Sequence, residues 1–131
     1  MRILVDSSVW VDFFKGQISR EVKTLKDAII QGDDVYLSPT ILQEVLQGFK
    51  HEQDYRLARE LLMTFPVFTW DPIELAIDAA QIYRSLRKKG ITISTSNDCL
   101  IAAIAKKHDC LILTSDKDYR RIAEGIRLSV V

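Results

Sequence analysis

Residues 95–116 read TSNDCLIAAIAKKHDCLILTSD, and this stretch decides the fold. Its centre, CLIAAIA, is apolar nearly all round, so a helix there has no polar face to offer water and is buried. Thr95 or Ser96 caps that helix. After a short polar break, Leu111-Ile112-Leu113 is a brief continuous apolar run, the pattern of a fully buried strand. It ends in a threonine, a serine and then Asp116, after which residues 117–124 read as a short helix.

The same alternation extends outward. Ile3-Leu4-Val5 is a short strand that ends at Asp6, followed by a helix through Phe14 that Gly16 interrupts. Residues 19–31 read as a helix closed by Gly32. Val35-Tyr36-Leu37 is a second strand. Ser38 as N-cap and Pro39 at the first helical position then start a helix to about Gly48. Another helix spans 52–64, and Pro66-Val67-Phe68 is a third strand. Asp71-Pro72 repeats the start signal for a helix to Lys89, closed by Gly90. With residues 111–113 as the fourth strand, Leu128 to Val131 forms a last one. Short strands alternating with helices predict an α/β fold: a three-layer α/β/α sandwich on a central, mostly parallel sheet. No linker or repeat interrupts the 131 residues, so one domain is expected. In such folds the ligand site lies at the carboxyl ends of the strands.

Composition excludes several classes. The chain is 47% hydrophobic and 27% charged, as in ordinary globular proteins. No apolar stretch approaches the roughly 20 residues needed to cross a bilayer. Asp6 breaks the first apolar run, so no signal peptide is expected and a cytoplasmic location is. Cys99 and Cys110 share no zinc-ligand spacing and read as buried, reduced thiols. His51 and His108 likewise share no ligand spacing and read as surface residues. The net charge is zero, yet residues 1–83 hold 8 Lys or Arg against 13 Asp or Glu (−5), and residues 84–131 hold 10 against 5 (+5). Such asymmetry hints at a surface that faces a polyanion, although a solvated basic face is the commoner cause of a charge cluster.

Three aspartates fall where the strand-end rule puts a site. Asp6 ends the first strand, Asp116 follows the LILTS strand, and Asp98 lies in the first turn of the buried helix. Each taken alone suits helix capping. Together they are harder to dismiss, because Ser or Asn would cap without mutual repulsion. Converging carboxylates raise one another's pKa unless a cation neutralises them. All-oxygen ligands suit Mg2+ or Mn2+. Glu44 is weaker by pattern: at about 100° per residue it lies roughly 130° from the apolar stripe of Ile41, Leu42, Val45, Leu46 and Phe49, on the side of an exposed glutamate. Its position near a helix start after a strand is what favours it.

These segments give the chain a family likeness. ILVDSSVWVDFF, SPTILQEVLQG and GITISTSNDCLIAAIAKKHDCLILTSDKDYRRIA, in that order, resemble PIN-domain ribonucleases, specifically VapC-type toxins of toxin–antitoxin pairs. The resemblance implies that Asp6, Glu44, Asp98 and Asp116 are the catalytic, metal-holding acids. It implies supporting roles for Ser7 or Ser8, Thr114 and Asp118. Asn97 stands where some relatives carry a further acid, which leaves this cluster less negative. The likeness further implies an Mg2+- or Mn2+-dependent endoribonuclease, an RNA substrate, a homodimer, and an antitoxin whose carboxyl-terminal segment lies over the acidic site. Arg84, Arg87, Lys88, Lys117 and Arg120, with Arg121, are candidates to hold the RNA backbone, and Tyr119 to stack on a base. Trp10 and Phe14, four apart on one helix face, read as core or dimer contacts.

Three other readings share the size and class. A receiver-type signalling domain needs paired acids after the first strand, where this chain has Ser7-Ser8, and a strand-end Asp that only Asp71 could supply. An Asp-x-Asp phosphatase fails at Ser8. A PIN-like module that binds RNA or protein without cutting has the same fold, and only retention of all four acids argues against it.

Overall fold

The three-dimensional structure is a computed structural model that describes residues 2–131. Three strands, β1 (Arg2–Val5), β2 (Asp34–Tyr36) and β3 (Leu111–Leu113), form a parallel sheet in the order β2-β1-β3. Ile3 pairs with Val35 on one side and Leu111 on the other. Leu4, Val5 and Ile112 are fully buried or nearly so, as their unbroken apolar runs require of strands covered on both faces.

Two helices, α1 (Ser7–Phe14) and α2 (Arg20–Gln31), connect β1 to β2. Four more, α3 (Pro39–Leu46), α4 (Glu52–Leu62), α5 (Pro72–Lys88) and α6 (Asn97–Lys107), carry the chain back across β1 to β3, and α7 (Lys117–Gly125) follows. The two crossovers run in opposite directions. Right-handed connection therefore puts α1–α2 on one face of the sheet and α5–α6 on the other. The point where the directions diverge is the carboxyl end of β1 and β3, where an open α/β sheet leaves a crevice.

Local signals explain the boundaries. Ser38 Oγ accepts from the Ile41 amide at 3.2 Å, with Pro39 opening α3. Asp71 Oδ1 accepts from the Ile73 and Glu74 amides at 2.9 and 3.1 Å. Gly32 ends α2 at φ 72°, a conformation that residues with a Cβ avoid. In α6, Cys99 and Ile101 to Ala105 are all buried, as an apolar surround demands. Trp10 is fully buried and its ring lies 6.1 Å from that of Phe14 and 5.4 Å from that of Phe65, so this pair belongs to the core. Both cysteines are free and buried.

Three expectations need correction. Residues 66–68 and 128–131 are not strands; each touches the sheet through one parallel bridge, Leu37 to Val67 and Ile112 to Val130. Pro66 has no N–H to give, which limits the first of these to a single rung. His108 is half-buried rather than on the surface, because its ring stacks 3.9 Å from Phe68, itself stacked 4.1 Å from Tyr36. Among the described residues no helix is long and apolar enough to cross a membrane.

Candidate active site

At the carboxyl ends of β1 and β3, a cavity of about 350 Å3 is lined by Asp6, Ser7, Ser8, Val11, Glu44, Thr95, Asp98, Ser115 and Asp116, together with Asp12, an acid the sequence reading did not single out. All four acids singled out in the sequence converge here. They arrive from the end of β1, the middle of α3, the first turn of α6 and the end of β3.

Asp6 occupies the N-cap position of α1 yet makes no side-chain cap bond. Its carboxyl turns to the sheet edge instead, where Oδ2 accepts from Ser8 Oγ at 2.8 Å and Thr114 Oγ1 at 3.0 Å, and Oδ1 from the Tyr119 hydroxyl at 3.3 Å. Capping therefore fails to explain this residue. It does explain half of Asp116, whose Oδ1 accepts from the Asp118 amide at 2.9 Å. Thr114 ties the two together, since its hydroxyl also accepts from the Asp116 amide at 2.9 Å.

Asp98 is 5% exposed, and its Oδ2 is buried with no hydrogen-bond partner. Burial pushes its carboxyl up to about 7; the neighbouring charges of Asp116 and Asp6 push the same way, and Tyr119 partly offsets them. Glu44 is half-buried, not the exposed helical glutamate its pattern suggested, because the first helix packs against α3 and covers that side. Ser7 Oγ donates to Glu44 Oε1 at 3.3 Å. Burial and then Asp6 raise the Glu44 carboxyl above its ordinary value, against hydrogen bonds from Ser7 and Asn97. Asn97 thus sits beside Glu44, exposed at the head of α6.

Asp118 does not line this cavity, yet it stands with two of the acids that do. One carboxyl oxygen each of Asp98, Asp116 and Asp118 lies within 4.8 Å of the others. Asp118 also accepts from the amide and hydroxyl of Ser94, anchoring the loop before α6. An all-oxygen donor set, one member of which carries a buried carboxylate oxygen without a partner, fits a hard divalent cation such as Mg2+ or Mn2+.

The other residues fall outside this cavity. Arg84, Arg87, Lys88, Lys117 and Arg120 are exposed and do not line it. Arg84 bonds Gln81, and Arg87 lies over the Tyr83 ring at 5.7 Å. Arg84 does line a neighbouring hollow with Ser96 and Cys99, at the same end of α6 as the acids. Tyr119 is fully buried and cannot stack on a base; its hydroxyl reaches the acids from beneath. The amphipathic spacing of Tyr119 and Ile122 was the signal that could have placed it inward.

Residues 3–125 match the PIN domain family. This chain is a PIN-domain protein. Over 127 residues it is 35% identical to Ribonuclease VapC11 of Mycobacterium tuberculosis, covering 92% of this chain and 91% of that one. The fold of the PIN domain found here is also that of VapBC2 from Rickettsia felis, solved bound to a DNA fragment from its promoter (TM-score 0.79, 14% identity, 100% of this chain and 98% of that one). VapBC-1 from nontypeable Haemophilus influenzae gives a TM-score of 0.76 at 19% identity, over 100% and 97% of the two chains. At those identities the two structures speak for the fold alone. Membership removes the receiver reading, and Asp71 is accordingly a plain helix cap.

Proposed function

We propose that this PIN-domain protein is a divalent-metal-dependent endoribonuclease and the toxin of a toxin–antitoxin pair. The observation that carries the proposal is the buried, unpartnered Asp98 oxygen at the meeting point of carboxylates from four separate elements. Its kinship with a protein named as a ribonuclease supports RNA as the substrate.

Asp98 and Asp116 would hold the ion with Asp118, one carboxyl oxygen of each lying within 4.8 Å of the others, while Asp6 and Glu44 line the same cavity outside that trio and would complete the site. A bound divalent cation supplies positive charge against the non-bridging phosphate oxygens and lowers the pKa of bound water. Glu44, with its carboxyl raised by burial and by Asp6, suits orienting and deprotonating the attacking water. Ser7 fixes that carboxyl through its hydroxyl. In-line attack breaks the bond from phosphorus to the 3′ oxygen and leaves a 5′-phosphate and a 3′-hydroxyl. The exposed cations from Arg84 to Arg120 would draw in the backbone of the substrate. The chain acts as one domain in the cytoplasm, as a homodimer, and is silenced by an antitoxin segment laid over the acids.

The test is Asp98→Asn. The variant should keep the far-ultraviolet dichroism and melting transition of the parent and lose Mg2+- or Mn2+-dependent RNA cleavage by at least about 100-fold, as expected when an interaction confined to the transition state is removed. Cleavage at the parental rate would overturn the site assignment. Calorimetry with Mn2+ separates a nuclease from a PIN module that binds without cutting, since the latter has no need of the ion.

A further inference from the structure

Tyr119 is the one fully buried group at the acids that the proposed chemistry leaves unused. It projects from the first turn of α7 and does not line the cavity, so it meets neither substrate nor solvent. A phenylalanine would fill the same core space without burying a polar oxygen. The hydroxyl instead donates to Asp6 Oδ1 at 3.3 Å and lies within reach of the Asp98 carboxyl.

Asp6 Oδ2 is held by two hydroxyls, those of Ser8 and Thr114. Among the described residues, Oδ1 has Tyr119 alone. Both oxygens lie off the Cβ–Cγ axis, so a bond on either resists rotation of the carboxylate, and the Tyr119 bond adds the resistance on the side that Ser8 and Thr114 leave open. We propose that Tyr119 is a positioning residue, whose hydroxyl completes the hold on the Asp6 carboxylate and so sets the shape of the metal pocket shared with Asp98. This inference rests on the metal-dependent reading above. A phenol has one proton to donate and two carboxylates beside it. The proton already goes to Asp6; a cation on Asp98 would remove the competing acceptor and strengthen that bond, so ion binding and the orientation of Asp6 are coupled through Tyr119.

The experiment is a Mn2+ titration by calorimetry of the full chain and of Tyr119→Phe, with melting curves of both. Outer hydrogen-bond partners of metal ligands typically change affinity by about 10- to 100-fold. A loss of at least about 10-fold in the variant, with its metal-free melting transition within a few degrees of the parent, supports the proposal. Equal affinity in the two proteins overturns it. Failure of the parent to bind Mn2+ overturns the metal reading itself, and this inference with it. If Tyr119→Phe does not fold, proton NMR of the parent decides. The Tyr119 hydroxyl proton, assigned through its own ring protons, should exchange slowly and move when Mg2+ is added. A hydroxyl that exchanges too fast to see, or does not move, is equally fatal.

Discussion

Burial, reinforced by Asp116 and Asp6, raises the Asp98 carboxyl from an ordinary 3.8 to about 7. The sign of the consequence follows from linkage: between those two values the folded protein binds more protons than the unfolded chain. In the metal-free protein this residue's contribution to stability is therefore complete below about pH 3.8 and is lost as the pH rises through about 7. A metal-free melting series should accordingly show its transition falling between pH 5 and pH 8. Mn2+ must displace the proton, so its affinity should rise about tenfold per pH unit up to about pH 7 and level off above. A Mn2+ affinity that does not change between pH 5.5 and 8 would show that Asp98 is ionised throughout and only peripheral to the ion. Asp98 was legible as a site candidate from its place in the first turn of a buried helix. Its pKa was not, because that depends on which other carboxyls the chain folds against it.

Among the elements, α7 is held by close packing at its end. A Cβ added to Gly125 would lie 2.4 Å from Leu86 Cδ2 and 3.0 Å from Ile91 Cδ1. Real side chains do not approach so closely, and Leu86 is fully buried with little room to yield. Gly125→Ala should destabilise the protein by about 1–3 kcal/mol, read from a denaturant midpoint, as overpacked core sites do. An unchanged midpoint would mean that α7 moves freely against α5. The helices themselves were readable. Ser38-Pro39 and Asp71-Pro72 announced α3 and α5, because capping is a matter of neighbouring residues. The weak outer strands were misread for the opposite reason: Pro66-Val67-Phe68 has strand composition, but whether it pairs depends on a partner far away in the chain. Glu44 shows the same limit, since its helix pattern points outward and only the packing of α1 and α6 against α3 encloses it.

For the molecule as a whole, folding gathers like charges from four elements around one cavity. That gathering opposes stability until a cation offsets it. Mn2+ at about 100 times its dissociation constant should stabilise the fold by about 2.7 kcal/mol, seen at pH 8 as a rise of several degrees in melting temperature that a chelator reverses. A melting temperature indifferent to Mn2+ would contradict a metal pocket built from these acids. The basic excess of residues 84–131 remains distributed over exposed positions outside the cavity.

Local order and broad class were settled by the chain on its own: apolar runs of three, caps at Ser38 and Asp71, and a helix with no polar side leave few folds open. These signals are short in range, acting through neighbours in sequence. Which acids meet, how Tyr119 reaches beneath them, and that Asp118 stands beside Asp98 emerged only when β1 and β3 were laid side by side. Electrostatic cost and hydrogen-bond geometry are set by distances through space, and those do not exist until the sheet has formed.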